Sequence, residues 1–282
     1  MSHELVKNQH VLPSKSIERF CNLKGMVQAH RIRENSTFPA NPRNKMFCVH
    51  RLWDQRAEQG YGKNIEDNYQ SLVERVLSSG CRILSNKDCE IISEFYALWC
   101  FRSSIENYDE SMSGNLIGVT GDILTDEQKL NLELKHVIYV EEGGVVPMRF
   151  KRGITMQMAI DSFILRNSNL KWYIAESKSL EFIVSDNPEG EFIIPFTPML
   201  CFICSFHVPV LSLEQVRGIN MSAIMRSKSY YFARELGVLY MLNKSLQHRS
   251  GTSCLRWTVF KSQFYGFAAQ KCSIKPQLKN CR

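Results

Sequence analysis

"KWYIAESKSLEFIVSDNPEGEFIIPFTPMLCFICSF", residues 171–206, is where the chain changes its hydrophobic period. "KWYIAES" (171–177) and "LEFIVS" (180–185) are rich in aromatic and β-branched residues, and Lys178-Ser179 between them suits a hairpin. "EFIIP" (191–195) and "MLCFICSF" (199–206) extend the sheet reading. Upstream the period is helical. Ile65, Tyr69, Leu72, Val73, Val76 and Leu77 fall on one face. Ile91, Ile92, Phe95, Leu98, Trp99 and Ile105 give residues 87–107 a buried surface, and 126–141 and 150–168 read as further helices. Helices gathered early and consecutive strands later predict an α+β fold: a helix-rich first half packed on a small, mainly antiparallel β-sheet from the later half.

The flanks are less regular. "QHVLP" runs extended into Pro13, and "SKSIERFC" (14–21) makes a short helix with Ser14 as cap and Ile17 and Phe20 inward. "MVQAHRI" (26–32) alternates as a strand. Residues 35–64 lack a sustained period and read as a long surface connection with one short strand at "MFCV". A helix is expected at 212–234, then strands at 237–241 and 255–260. This divides the chain into a core, 1–236, and a C-terminal extension, 237–282, packed on it. No internal repeat or low-complexity tract interrupts the pattern.

With 282 residues, 44% hydrophobic and 22% charged, the chain has the composition of a folded protein with a sizeable core. Its formal charge of +7 is compatible with a polyanionic partner, DNA or RNA, and equally with a solvated basic surface. "MSHELVKNQH" lacks the apolar core of a signal peptide, and the run at 199–206 falls far short of the roughly 20 residues a membrane helix needs. A cytoplasmic protein without membrane insertion is expected, with most of its 10 cysteines reduced.

Asp186 has the most suggestive local context. A strand end followed by Asn187-Pro188 can expose a carboxylate for metal binding or proton transfer, or can use it to close an Asx-turn. His10 can bind a metal or take a proton near neutral pH, or serve structurally. Glu66 sits in the first turn of a helix, where the dipole alone favours an acid. Arg102 offers a guanidinium fork to phosphate or to a buried carboxylate. Arg149, Lys151 and Arg152 form a basic group that can meet phosphates, and Gln157 follows on the same helix. Asn187 can contact a ligand through its amide or hold the turn. Cys201, Cys204 and His207 imitate half a zinc site, but the interleaved Phe202, Ile203 and Phe206 read as a buried strand. No Walker loop, dinucleotide fingerprint, nucleophile elbow or HExxH motif occurs.

"NQHVLPSKSIERFC", "WYIAESKSLEFIVSDNPEGEFIIPFTPMLCFI" and "INMSAIMRSKSYYFAR" occur in this order across residues 8–236. Together they resemble the bacterial and phage-associated DUF4238 family. The family's His-any-Val-Pro opening fits at His10 and Val11, with Leu12 standing before Pro13. Ser185, Asp186, Asn187 and Pro188 match its Ser-Asp-Asn-Pro element without insertion, and Asn220 matches its Asn-bearing terminal helix. The resemblance implies that His10, Asp186 and Asn187 share a site; it implies no chemistry.

Taken together, these features predict a metal-dependent nuclease or related phosphodiesterase, acting in conflict between bacteria and mobile elements. Glu66 and Asp186 would hold Mg²⁺ or Mn²⁺, His10 would activate water, and Arg102 and Lys151 would contact phosphate. The alternatives are a non-enzymatic module that binds nucleic acid or protein, and a hydrolase of small phosphorylated molecules.

Overall fold

Why the later half forms sheets is visible in its alternation. In the computed structural model, which describes residues 5–105, 114–204 and 208–237, β7 (Trp172–Ser177) buries alternate aromatic and aliphatic side chains. It pairs antiparallel with β10 (Leu200–Cys204), which pairs in turn with β9 (Ile193–Thr197). β11 (Val210–Leu211) joins the free edge of β7 in parallel, giving the order β11-β7-β10-β9. The outer strand β9 carries Pro195, which cannot donate to a further strand and so blunts that edge.

A second four-stranded sheet joins chain segments far apart in sequence. Its order is β3 (Ser36–Ala40), β2 (Val27–Arg31), β12 (Tyr230–Ala233) and β8 (Val184–Ser185), all antiparallel. The expected hairpin across Lys178-Ser179 therefore does not form. Ser177 Oγ accepts the Leu180 amide at 3.2 Å and turns the chain out of β7. The Phe182 amide then donates to Pro198 O (2.7 Å) and the Ile183 amide to Asn220 Oδ1 (2.9 Å), so neither is left for β7. Buried Asn220 completes this clamp by donating Nδ2 to Glu181 O at 2.8 Å.

The helical half follows its periodicity. α1 (Ser14–Glu18) buries Ile17, although its cap position is Pro13 rather than Ser14. α2 (Gly62–Ser79) buries Tyr69, Leu72, Val73 and Val76, while Leu77 turns outward. α3 (Asn86–Ser104) begins at a capping box between Ser85 and Asp88 and packs against both α2 and α5 (Met148–Arg166). α4 (Asp126–Leu134) stops short of the expected 141, and α6 (Leu213–Arg226) stops before Tyr230, where the chain becomes β12. Tyr69 stacks on Phe95 and meets Phe202 edge-on at 6.1 Å, which joins α2 and α3 to β10. The α+β class holds, with the early hairpin β2-β3 built into one of its sheets.

The segment expected to be a surface connection is instead partly core. Phe47, Trp53 and Ala57 are fully buried. β4 (Cys48–His50) pairs antiparallel with β1 (Asn8–His10), and the two-stranded pair β5 (Gly114–Asn115) and β6 (Val145–Val146) lies further on. No described helix is long and apolar enough to cross a membrane. The chain divides into two compact units, Met1–Glu235 and Leu236–Arg282. The strands expected at 237–241 and 255–260, and the packing of 237–282 on the core, lie outside the described residues.

Candidate functional site

Asp186 follows β8 directly, and its carboxylate faces the start of β12. Oδ1 accepts the Lys228 amide at 2.8 Å; Oδ2 accepts those of Ser229 (2.7 Å) and Tyr230 (3.2 Å). Its own amide donates back to Tyr230 O at 3.2 Å. Three of the roughly four acceptor sites of a carboxylate are thus occupied by backbone. Burial pushes its pKa up, and the three amides pull against that shift. Asp186 staples β8 to β12. Glu66, the other expected metal ligand, is ion-paired with Arg102, and among the described residues no group of three or more His, Cys, Asp or Glu is gathered for a metal.

His10, Glu66 and Arg102 do come together. His10 ends β1, Glu66 lies one turn into α2, and Arg102 sits in the last turn of α3. Arg102, 2% exposed, donates Nη1 to Glu66 Oε1 and to the His10 carbonyl (3.4 Å). Its guanidinium lies 5.0 Å from the centroid of the Trp53 ring and 3.6 Å from Glu58 Oε2, and Trp53 Nε1 donates to that same oxygen at 2.6 Å. Gln9 fixes Trp53 from β1: its Nε2 donates to Trp53 O (2.8 Å), and its Oε1 accepts the Trp53 amide (3.2 Å). Burial works against the Arg102 charge, but Glu66 and Glu58 outweigh it and its pKa rises. Burial raises Glu58 too, opposed by Arg102 and Trp53.

His10 keeps a half-buried ring whose Nε2 lies 3.2 Å from Pro42 O. A carbonyl only accepts, so Nε2 carries the proton and Nδ1 keeps the lone pair. Burial lowers the His10 pKa, and this outweighs the pull of the Pro42 carbonyl and Glu66; Arg102 and Arg43 lower it further. The imidazole is therefore neutral at neutral pH. Across the strand pair, Val11 N–H donates to Phe47 O (3.1 Å) and Arg51 N–H to Lys7 O (2.9 Å). Hydrogen-bonded pairs thus alternate at 7/51, 9/49 and 11/47, which leaves His10 and Cys48 as a close, non-hydrogen-bonded pair with side chains on one face. Burial, with Glu58 nearby, holds the Cys48 thiol above its ordinary value.

Between β4 and α2 the chain makes a π-turn, Ala57–Tyr61, broken at Gly60 (φ −94°, ψ −110°). Arg56, just before it, donates Nη1 to Gln157 Oε1 at 3.2 Å, while Tyr61 OH reaches Gly153 O at 2.7 Å. Gln157 accordingly joins this network. Gly153 packs so closely on Asp54 that a Cβ there would collide with the carboxylate.

The remaining expected binding residues are placed differently. Arg152 is buried and donates to Leu52 O at 3.4 Å; Arg149 pairs with Glu133 at 2.9 Å. Lys151 is half-buried on α5, so the group does not present a row of free cations. Asn187 donates Nδ2 to Arg226 O (3.2 Å) and holds the turn with Ser185. Cys201 and Cys204 are buried in β10, and burial pushes the Cys201 thiol up; His207 lies outside the described residues.

Arg43 is the exposed cation that the sequence reading passed over. Its amide donates to Asn41 Oδ1 (2.9 Å), and the Asn44 amide donates to Asn41 O (2.8 Å), forming a tight turn beside the His10 ring. "NPRN" (41–44) carries the Asn-Pro signal for such a turn, but nothing in it announces the neighbour. No family model, curated protein or solved structure matches this chain. The likeness to DUF4238 rests on its quoted segments alone.

Proposed function

We propose that the protein is a nuclease or related phosphodiesterase in which His10 is the proton acceptor. The observation that supports this is the Glu66–Arg102 ion pair, whose arginine also donates to the His10 carbonyl and both of whose charges act on the His10 imidazole. In this reading Asp186 is a structural acid, three of whose acceptor positions serve the backbone, and His10 takes the proton directly.

A neutral imidazole whose Nδ1 meets no hydrogen-bond partner among the described residues can take a proton but offers no nucleophile of its own here. That suits a substrate carrying an internal nucleophile, so RNA is the first candidate. The 2′-hydroxyl proton passes to Nδ1, the O2′–P bond forms, and the P–O5′ bond breaks. The leaving oxygen takes a proton from water, giving a 2′,3′-cyclic phosphate. Glu66 offsets the positive charge that develops on the imidazole. Arg102 touches no substrate; it is a positioning residue that fixes Glu66 and the His10 backbone. Arg43, exposed beside the ring, contacts the phosphate.

The test is cleavage of labelled RNA and DNA in EDTA, in Mg²⁺ and in Mn²⁺. Wild type should cut RNA in EDTA and leave cyclic phosphate ends, with His10→Ala lowering kcat about 10²–10⁴-fold. Arg43→Gln should raise KM with little change in kcat. Cleavage that depends wholly on added Mg²⁺ or Mn²⁺, or that survives His10→Ala, overturns the mechanism.

A further inference from the structure

The acidic residues of this chain stop at Glu235, whereas the basic residues run to its last position. Residues 237–282 hold eight Lys or Arg and no Asp or Glu, which leaves 27 basic against 28 acidic residues in 1–236. The formal +7 of the whole chain is therefore carried by its last 46 residues. The boundary between the two compact units, Glu235 to Leu236, falls at the same point. A uniform solvated basic surface would not divide this way.

The tail also interleaves its charge with flat side chains. "RWTVFKSQFYGFAAQK" (256–271) contains Trp257, Phe260, Phe264, Tyr265 and Phe267 among Arg256, Lys261 and Lys271, with Val259 as its one branched aliphatic. Anchoring in lipid draws on aliphatic area as well as on aromatics. Binding of single strands draws on π-faces for bases and on cations for phosphates. We propose that residues 256–271, within the basic stretch 237–282, are a single-stranded nucleic-acid-binding element, independent of whether the His10 cluster is catalytic. The near-neutral first unit supplies little of the attraction.

Fluorescence anisotropy of the full chain with a labelled single-stranded DNA of about 15–20 nucleotides tests this, since DNA lacks the 2′-hydroxyl. Arg256→Gln/Lys261→Gln/Lys271→Gln should weaken binding at least tenfold at low salt and reduce the slope of log K against log salt by about 2. Trp257→Ala should weaken it at least about fivefold through lost stacking. The charge-preserving set Arg256→Lys/Lys261→Arg/Lys271→Arg should bind as wild type, which separates charge from folding. The exposed first-unit set Lys24→Gln/Lys63→Gln/Lys87→Gln should leave binding unchanged. Binding that ignores the tail set, equal loss from the first-unit set, or uptake by phosphatidylserine vesicles in preference to the strand would each overturn the proposal. His10→Ala should not alter this binding, so failure of cleavage and failure of binding are read separately.

Discussion

Asp186 and Arg102 are both drawn out of bulk water, and the chain treats them oppositely. Asp186 meets three backbone donors at the β8–β12 junction. Arg102 meets two carboxylates and a carbonyl, yet its Nε and Nη2 find no hydrogen-bond partner among the described residues. An acid with three of its roughly four acceptor sites filled holds two strands in register. A charged cluster with spare donors and a neutral histidine at its edge is where chemistry can still be done.

Six substitutions sharpen that contrast. Arg102→Leu strands Glu58 and Glu66 and should cost about 3–5 kcal/mol in urea unfolding; adding Glu58→Gln and Glu66→Gln should recover part of it. Asp186→Ala frees three amides at once and should cost about 3 kcal/mol, while Asp186→Asn, which keeps one acceptor oxygen, should cost about half as much. If Asp186→Ala proved neutral, the junction would not be a staple. Gln9→Ala removes both clamps on the Trp53 backbone and should cost about 1–2 kcal/mol.

The smallest effect is on pH dependence. His10 has its folded pKa lowered below the unfolded 6.5, so the unfolded chain binds more protons in that interval. The contribution of His10 is thus fully present above pH 6.5 and is lost as pH falls through the folded value. The wild-type minus His10→Gln stability difference should shrink on acidification below that point. A difference that grew instead would reverse the assignment of a neutral imidazole.

Helices α2 and α5 were legible because each buries one face at the helical period, and α3 because its apolar run is too long for a strand; both are local signals. β7, β9 and β10 were legible as strands, but their partners were not. β8 and β12 are joined by Asp186 across 42 to 44 residues, and no local pattern encodes that pairing. The helix was expected to run through Tyr230, yet Tyr230 and Phe232 alternate inward as a strand once Asp186 captures the amides before them. Residues 35–64 looked irregular because Phe47 and Trp53 are buried by distant partners, including Gln9 and Tyr230, rather than by a periodic face. His10, Glu66 and Arg102 were legible as residue types; that they meet, and that Asp186 turns its oxygens to the amides at the start of β12, required the fold.

The most direct measurement compares RNA cleavage in EDTA by wild type, Asp186→Asn and His10→Ala, each normalised to its folded fraction. The account predicts that Asp186→Asn cuts at the wild-type rate per folded molecule, while His10→Ala falls at least about a hundredfold. Cleavage lost with Asp186→Asn and kept with His10→Ala would contradict it.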